Sequence, residues 1–192
     1  ALPTVTASSN PVSPLCDGDL LTLTGSGATS YLWDNSVVNN IAFTPAVGTV
    51  TYTVTGTDVN SCINTDMITV TVNALPTVTA SSNPVSPLCD GDLLTLTGSG
   101  ATSYLWDNSV VNNIAFTPAV GTVTYTVTGT DVNSCINTDM ITVTVNALPT
   151  VTASSNPASP LCDGDLLTLT GSGTATSYTW DNSVVDNIAF TP

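Results

Sequence analysis

Residues 50–55 read Val-Thr-Tyr-Thr-Val-Thr, a strict alternation of apolar residues with threonine. Successive side chains of a strand point to opposite faces, so this pattern predicts a strand with one buried and one solvated face. The same alternation recurs at residues 21–24 and at residues 68–72. Tyr31 and Trp33 also share one face, with Leu32 on the other. The chain is therefore predicted to be built from half-buried strands.

The chain is an internal repeat. Residues 74–146 repeat residues 1–73 without a difference, and residues 147–192 begin a third copy. That copy differs in the replacement of Val12 by Ala158, of Leu32 by Thr179 and of Asn39 by Asp186, and in an inserted Thr174. Because Leu32 changes while Trp33 is kept, we expect Leu32 outside and the tryptophans in the core. The predicted core anchors are Trp33, Trp106 and Trp180.

We predict Ig-like repeats over residues 1–73 and 74–146 and a partial repeat over residues 147–192. A frame of residues 46–118 and 119–192 also fits, but Asn73-Ala74-Leu75-Pro76 is typical of a linker because Pro76 lacks an amide donor. The missing strands of the third copy indicate a chain that continues beyond Pro192. Short strands are also expected at Thr4–Ala7 and Asn40–Phe43, separated by Gly, Pro and Asn breakers. Six or seven strands per repeat predict an all-β fold: tandem immunoglobulin-like β-sandwich domains arranged as a linear rod.

The composition excludes several function classes. The 192 residues contain no Lys, Arg or His, and the formal net charge is −14. Without cations the chain has no means of neutralising nucleic-acid phosphates, and anionic lipid would repel it. All of its acidic residues are Asp, so a Ser or Cys nucleophile has no ordinary base beside it. No apolar run approaches the ~20 residues of a membrane span. We therefore predict a non-catalytic chain without nucleic-acid binding or membrane insertion.

Five cysteines recur with the repeat and are candidates for disulfides. They are Cys16, Cys62, Cys89, Cys135 and Cys162. Regular cysteines in small domains without histidine favour disulfides in an oxidising, extracellular compartment. A Cys16–Cys62 bond within a repeat is favoured because paired cysteines usually stabilise their own module. The alternative is Cys16–Cys135, between repeats, since Cys16 and Cys62 are expected at opposite ends of a sandwich.

Aspartates flank the cysteines and form a candidate calcium site. They are Asp17, Asp19, Asp58 and Asp66 in the first repeat, and Asp90, Asp92, Asp131 and Asp139 in the second. Calcium takes six to eight oxygen ligands, several of them carboxylates. The other interpretation, which we favour, is that these residues form turns and carry solubilising charge, with no cofactor.

Two segments of the repeat resemble a known family. They are Cys-Asp-Gly-Asp-Leu-Leu-Thr-Leu-Thr-Gly-Ser-Gly-Ala-Thr-Ser-Tyr-Leu-Trp-Asp at residues 16–34 and Tyr-Thr-Val-Thr-Gly-Thr-Asp-Val-Asn-Ser-Cys at residues 52–62. They are similar to the Ig-like and PKD-like repeats of giant Bacteroidota surface adhesins, which are exported by the type IX system and include gliding-motility adhesins. PKD repeats usually continue Trp-Asp with Phe-Gly-Asp-Gly, whereas Asn35-Ser36-Val37 follows here, so the Ig-like type fits better. The resemblance implies an extracellular, cell-surface location.

These observations favour a structural repeat that forms the shaft of a surface filament or adhesin, with neighbouring repeats as its partners. Identical repeats add length without adding new chemistry. One alternative is that the repeats bind glycans or surfaces directly, with Leu32 as the outward candidate. Another is self-assembly with other copies by strand exchange, suggested by the incomplete third repeat.

Overall fold

A computed structural model describes all residues of the chain, Ala1–Pro192. The chain contains only strands and the loops between them. The first repeat holds β1 (Thr6–Asn10), β2 (Leu15–Cys16), β3 (Leu21–Ser26), β4 (Ser30–Trp33), β5 (Ala42–Phe43), β6 (Gly48–Thr57) and β7 (Ile63–Asn73). The second holds β8 (Thr79–Asn83), β9 (Leu88–Cys89), β10 (Leu94–Ser99), β11 (Ser103–Trp106), β12 (Ala115–Phe116), β13 (Gly121–Thr130) and β14 (Ile136–Asn146). The third holds β15 (Val151–Asn156), β16 (Leu167–Gly173) and β17 (Ala189–Phe190).

Each of the first two repeats folds into two packed sheets. In the first repeat one sheet has the order β1-β3-β5 and the other the order β2-β7-β6-β4. All pairs are antiparallel except β2 with β7, which run parallel. The second repeat has the same arrangement, with sheets β8-β10-β12 and β9-β14-β13-β11. Seven strands in two sheets of this order form an immunoglobulin-like sandwich, as the alternation predicted.

The core lies between the two sheets and follows the alternation. In the first repeat Leu21, Leu23 and Val54 are completely buried, and Trp33 is 3% exposed. Its neighbour Leu32 is 73% exposed, which confirms the prediction drawn from the third copy. Trp106 is buried to the same extent as Trp33 in an equivalent core of the second repeat.

The outer face of the long β6–β7 hairpin carries rows of threonine. The hydroxyls of Thr49 and Thr71 lie 3.0 Å apart and those of Thr51 and Thr69 lie 2.9 Å apart, each pair joined by a hydrogen bond. Directly opposite β-branched side chains support strand pairing, so this solvated face also contributes to the sheet.

Two short strands differ from their predicted bounds, and one strand was not predicted. The strand expected at Thr4–Ala7 is Thr6–Asn10, which is the segment that pairs with β3. Before this strand, the Pro3 carbonyl accepts a hydrogen bond from the Asn64 side chain at 2.9 Å. The strand expected at Asn40–Phe43 is limited to Ala42–Phe43. The unpredicted strand is β2, whose two residues are too few to show any alternation.

The third repeat contains a single sheet, β15-β16-β17. Its predicted core anchor Trp180 is only half-buried. The residues that correspond to β4 are present at 177–180 but form no strand. In the first repeat β4 pairs with β6, which has no counterpart among residues 147–192.

No helix of a length and hydrophobicity suited to crossing a membrane is found in the structure.

Candidate functional site

A disulfide joins Cys16 of the first repeat to Cys135 of the second, with the two Cα atoms 5.5 Å apart. The bond therefore links neighbouring repeats. The favoured prediction of a Cys16–Cys62 bond within one repeat was wrong, and the alternative Cys16–Cys135 pairing is the one the structure forms.

Strand β7 explains why the two cysteines of one repeat stay apart. Cys16 on β2 lies beside Asn73, the last residue of β7, whereas Cys62 comes just before its first residue, Ile63. A strand rises about 3.3 Å per residue, so the two ends of this strand lie roughly 30 Å apart. Disulfide-bonded cysteines need Cα atoms within about 7 Å. The sandwich thus holds Cys16 and Cys62 at opposite ends.

The short connection after β7 brings the second repeat to Cys16. The Pro76 carbonyl accepts a hydrogen bond from the Asn137 side chain, at 2.9 Å, so the chain reaches the β13–β14 hairpin within three residues of leaving Asn73. Leu75 lines a shallow groove at this junction together with Cys16 and Ile136. Leu75 is 38% exposed, whereas its counterpart at the second junction, Leu148, is 59% exposed. The junction that carries the disulfide therefore covers more of this apolar side chain.

Both loops that carry the disulfide are held by aspartate. Asp19 accepts a hydrogen bond from the backbone N–H of Cys16 at 2.8 Å. Asp131 accepts one from the N–H of Cys135 at 2.9 Å and one from the N–H of Asn133 at 2.8 Å. Cys135 itself is 1% exposed. These carboxylates fix the loop backbones and so position the two sulfur atoms.

The aspartates predicted as calcium ligands are spread over different roles. Asp58 and Asp92 hold the loops of Cys62 and Cys89, each at 2.8 Å, as Asp131 and Asp19 do at the disulfide. Asp66 accepts a hydrogen bond from the backbone N–H of Ala7, at 2.8 Å, across the two sheets of the sandwich. Asp17 and Asp90 donate their own N–H groups to the carbonyls at the ends of β7 and β14. No group of three or more acidic or thiol side chains is placed to hold a metal ion. Calcium binding stays a prediction.

Backbone N–H groups surround the carboxylate of Asp139. Its carboxylate accepts a hydrogen bond from the Ala80 N–H at 2.8 Å. The N–H groups of Ala80 and then of Met140 hold the pKa of this carboxyl below its usual range. A carboxylate that accepts backbone N–H bonds is stabilised in its charged form.

Three cysteines are free in the structure. Cys62 is half-buried, and Cys89 and Cys162 are exposed. Each occupies a position equivalent to one half of the Cys16–Cys135 bond. The two bonded positions therefore define two types of cysteine, one on the loop before the third strand and one on the hairpin.

The interiors of the repeats are apolar. The buried residues include no polar or charged side chain, and no buried side-chain nitrogen or oxygen lacks a hydrogen-bond partner. The chemistry that the arrangement offers is covalent coupling between repeats.

Comparisons with known proteins identify no family for this chain. No protein-family model and no curated protein match the chain. Among solved structures, the chain is similar to the fibronectin(III)-like modules of CbhA from Clostridium thermocellum, with 13% identity over 75% of this chain and 95% of that one. The TM-score is 0.35, so the assignment to the immunoglobulin-like class rests on the strand order and the core described above.

Proposed function

We propose that the chain is a non-catalytic structural repeat and forms the shaft of an extracellular surface filament or adhesin. The observation that carries the proposal is the Cys16–Cys135 disulfide, which joins one repeat to the next. A bond within a repeat would stabilise a single domain, whereas a bond between repeats restricts how the two domains can move. Restricting that motion is useful in a molecule that spans distance and carries load.

The chemistry of the surface supports an extracellular setting. Disulfides persist in oxidising compartments and are rare in the cytosol. With no Lys or Arg, the chain offers no cleavage site to trypsin-like proteases. The net charge of −14 also discourages exposed sheet edges from pairing between molecules.

The shaft proposal is tested by the stiffness of the junction. Small-angle X-ray scattering of the full chain should give a narrow distribution of dimensions when oxidised and a broader one for the Cys16→Ser variant. Cys162→Ser is the matched control, because Cys162 is an exposed free thiol on the equivalent loop of the third repeat. The control should behave as the unsubstituted chain. Equal distributions for all three proteins would remove the support for a shaft that carries force.

We extend the proposal to the Bacteroidota surface adhesins that the repeats resemble, including export by the type IX system and a role in gliding motility. The support is the Cys-Asp-Gly-Asp loop, the Tyr-Leu-Trp-Asp segment and the cysteine-bearing hairpin of every full repeat. Antibody labelling and protease shaving of intact producing cells test the location. Protein that is found only inside the cells would contradict it.

Direct binding of glycans or surfaces by the repeats is a second candidate function. It is favoured by exposed apolar side chains on the outer face of the second sheet, where Leu32 is 73% and Met67 66% exposed. Substituting aspartate for Leu32 and for its counterpart Leu105 should abolish attachment to a glycan- or polymer-coated surface if the repeats bind directly. Unchanged attachment would contradict direct binding, and the shaft would be the one function still proposed.

A further inference from the structure

Each complete repeat carries an apolar groove beside the loop between its fourth and fifth strands. The groove of the first repeat has a volume of about 300 Å³ and that of the second a volume of about 330 Å³. Val38 and Ile41 line the first groove and are 62% and 58% exposed. Their counterparts Val111 and Ile114 line the second groove and are exposed to nearly the same extent. An open apolar surface therefore recurs at the same place in both repeats.

The loop that carries these side chains is held firmly. The Val37 N–H donates to the Asp34 carbonyl at 3.1 Å, which closes one turn. The Ile41 N–H donates to the Val38 carbonyl, also at 3.1 Å, which closes a second turn. Within the second turn the Asn40 N–H donates to a carbonyl of β3 at 2.9 Å. The groove is thus formed in advance, and a ligand does not have to order the loop on binding.

One polar atom of the groove is left without a partner. Tyr52 lines the groove and is only 5% exposed, yet its hydroxyl makes no hydrogen bond. The Tyr31 hydroxyl, by contrast, exchanges two hydrogen bonds with the backbone of Ala28, at 2.6 and 2.8 Å. No enclosed side-chain oxygen lacks a partner, so the Tyr52 hydroxyl opens onto the groove. A ligand that bonds to this hydroxyl makes a contact that the protein itself leaves unmade.

A carboxylate lies close to this hydroxyl. The Asp34 N–H donates to the carbonyl of Thr53, the residue after Tyr52, at 3.1 Å. Burial raises the pKa of Tyr52, and the Asp34 carboxylate raises it further. In the third repeat Asp181, the counterpart of Asp34, itself lines the equivalent groove. The groove therefore presents negative charge next to its unpaired hydroxyl.

The charge of the chain limits what can bind in this groove. The net charge is −14, so an anionic ligand is repelled. A second copy of the chain contains no Lys, Arg or His and has no side-chain cation to place beside Asp34. The occupant that complements the groove is therefore a cation that belongs to another molecule.

A lysine side chain matches both the walls and the polar groups of the groove. Its methylene stem packs against apolar surface while its charged end stays in a polar setting. Its ammonium group is a donor only, and the Tyr52 hydroxyl and the Asp34 carboxylate can both accept from it. Arginine favours a bidentate acceptor, whereas these two acceptors belong to separate groups. A neutral sugar fits less well, because the buried Tyr52 ring offers no open face for stacking.

We propose that the groove formed by Val38, Ile41 and Tyr52, and its counterpart in the second repeat, each bind a lysine side chain of a partner protein. The Asp34 carboxylate supplies the charge, and the Tyr52 hydroxyl supplies a hydrogen bond. The groove shares no lining residue with the disulfide junction, so this inference does not rest on the shaft proposal. Each complete repeat adds one site, and several linked sites strengthen attachment to a surface that displays lysine.

The proposal is tested with the full chain and Nα-acetyl-lysine methylamide as the probe, followed by methyl chemical shifts. We expect saturable shifts of the valine and isoleucine methyl signals of the groove. Nα-acetyl-norleucine methylamide has a similar stem without the charge. It should bind at least about tenfold more weakly, because it makes no charged hydrogen bond. No binding of the lysine probe, or equal binding of the two probes, would overturn the proposal.

Paired phenylalanine substitutions test the hydroxyl. Tyr52→Phe combined with Tyr125→Phe keeps the packed rings and should weaken binding of the lysine probe about two- to tenfold. Tyr31→Phe combined with Tyr104→Phe is the matched control, because those hydroxyls bond to the backbone outside the groove. The control should bind as the unsubstituted chain does. Equal affinities of the two double variants would contradict a hydrogen bond from the ligand to Tyr52.

Paired asparagine substitutions test the carboxylate. Asp34→Asn combined with Asp107→Asn should weaken binding of the lysine probe about tenfold, because a charged hydrogen bond is lost. Asp17→Asn combined with Asp90→Asn removes the same charge from exposed residues outside the groove and should leave binding unchanged. Equal weakening by both pairs would show that the net charge alone attracts the probe, and would overturn the proposal.

Two further probes identify the source of the ligand. n-Butylamine should bind no more tightly than the capped lysine, and methyl glucoside should leave the methyl signals of the groove unchanged. Tighter binding of n-butylamine would assign the groove to free amines, and saturable binding of methyl glucoside would assign it to glycans. Either result would overturn a protein partner. The shaft proposal is tested by the stiffness of the disulfide junction and is not affected by these results.

Discussion

The carboxylate of Asp139 on β14 lies 2.8 Å from the backbone nitrogen of Ala80 on β8 and accepts its hydrogen bond. The two strands belong to different sheets, so this contact ties the two layers of the second repeat together. It is also the contact that lowers the pKa of Asp139 most strongly.

We expect the second repeat to lose stability as the pH falls below about 4, partly through Asp139. A carboxyl group whose pKa is lower in the folded state stabilises the fold above its unfolded pKa, and this contribution disappears as the pH falls through the folded pKa. Asp139→Asn keeps an oxygen acceptor for Ala80 but does not titrate. Calorimetric unfolding between pH 6 and pH 2 should show a shallower fall in Tm for this variant. Parallel curves for the variant and the unsubstituted chain would contradict the assignment.

At alkaline pH we expect Tyr52 and Tyr125 to limit stability. Burial raises the pKa of Tyr52, and the Asp34 carboxylate raises it further, while burial and Asp107 do the same for Tyr125. A raised folded pKa stabilises the fold below the unfolded value near 10, and the contribution is lost as the pH rises above it. Phenolate absorbance should show these two of the five tyrosines titrating late. Tyr52→Phe should remove one late step, and an unchanged titration curve would count against this prediction.

Trp33 and Asn39 give a prediction with an internal control. The Asn39 side-chain oxygen accepts hydrogen bonds from the Trp33 indole N–H at 2.9 Å and from the Gly25 N–H at 2.7 Å. In the third repeat Asp186 accepts the equivalent bonds from Trp180 and Gly171. Asn39→Leu should therefore cost about 1–3 kcal/mol in the free energy of unfolding because two donors lose their acceptor. Asn39→Asp should lower the free energy of unfolding, measured in urea, by much less. Equal losses for the two variants would show that the side-chain oxygen at this position does not stabilise the fold.

Leu32 and Trp33 are adjacent but should respond very differently to substitution. Trp33→Ala removes a buried anchor and should cost about 3–5 kcal/mol. Leu32→Thr changes an exposed residue to the one found at Thr179 and should stay within about 0.5 kcal/mol. Denaturant midpoints of the two variants measure the difference. A large loss for Leu32→Thr would place that side chain in an interface that the isolated chain does not show.

We expect calcium to leave the melting temperature unchanged. The carboxylates of Asp19, Asp58 and Asp66 already accept backbone hydrogen bonds, and no cluster of acidic groups gathers at the junction. Thermal unfolding in calcium, in magnesium and in a chelator checks this. A higher melting temperature in calcium alone would support the calcium-site hypothesis.

The sandwich fold could be predicted from the sequence because the alternation of apolar and polar residues shows which side of a strand is buried. It separated Trp33 from Leu32 correctly, since one substitution in the third repeat distinguished the two faces. It could not decide the disulfide, because the position of Cys16 depends on the parallel pairing of β2 with the far end of β7. That pairing involves two residues and is set by tertiary contacts. The directions of the predicted strands indicated only that Cys16 and Cys62 belong to opposite ends.

The Cys16–Cys135 bond has a consequence for how far the chain can lengthen if its domains open. The bond spans 119 positions of sequence and encloses β3 to β7 of the first repeat and β8 to β13 of the second. A released residue normally adds at most about 3.6 Å of contour length. Residues 17–134 lie within the covalent loop, so their unfolding adds none between the termini. Of the two complete repeats, only residues 1–15 and 136–146 can add length between the termini when they unfold. A molecule joined in this way therefore stays short even after its sheets have come apart.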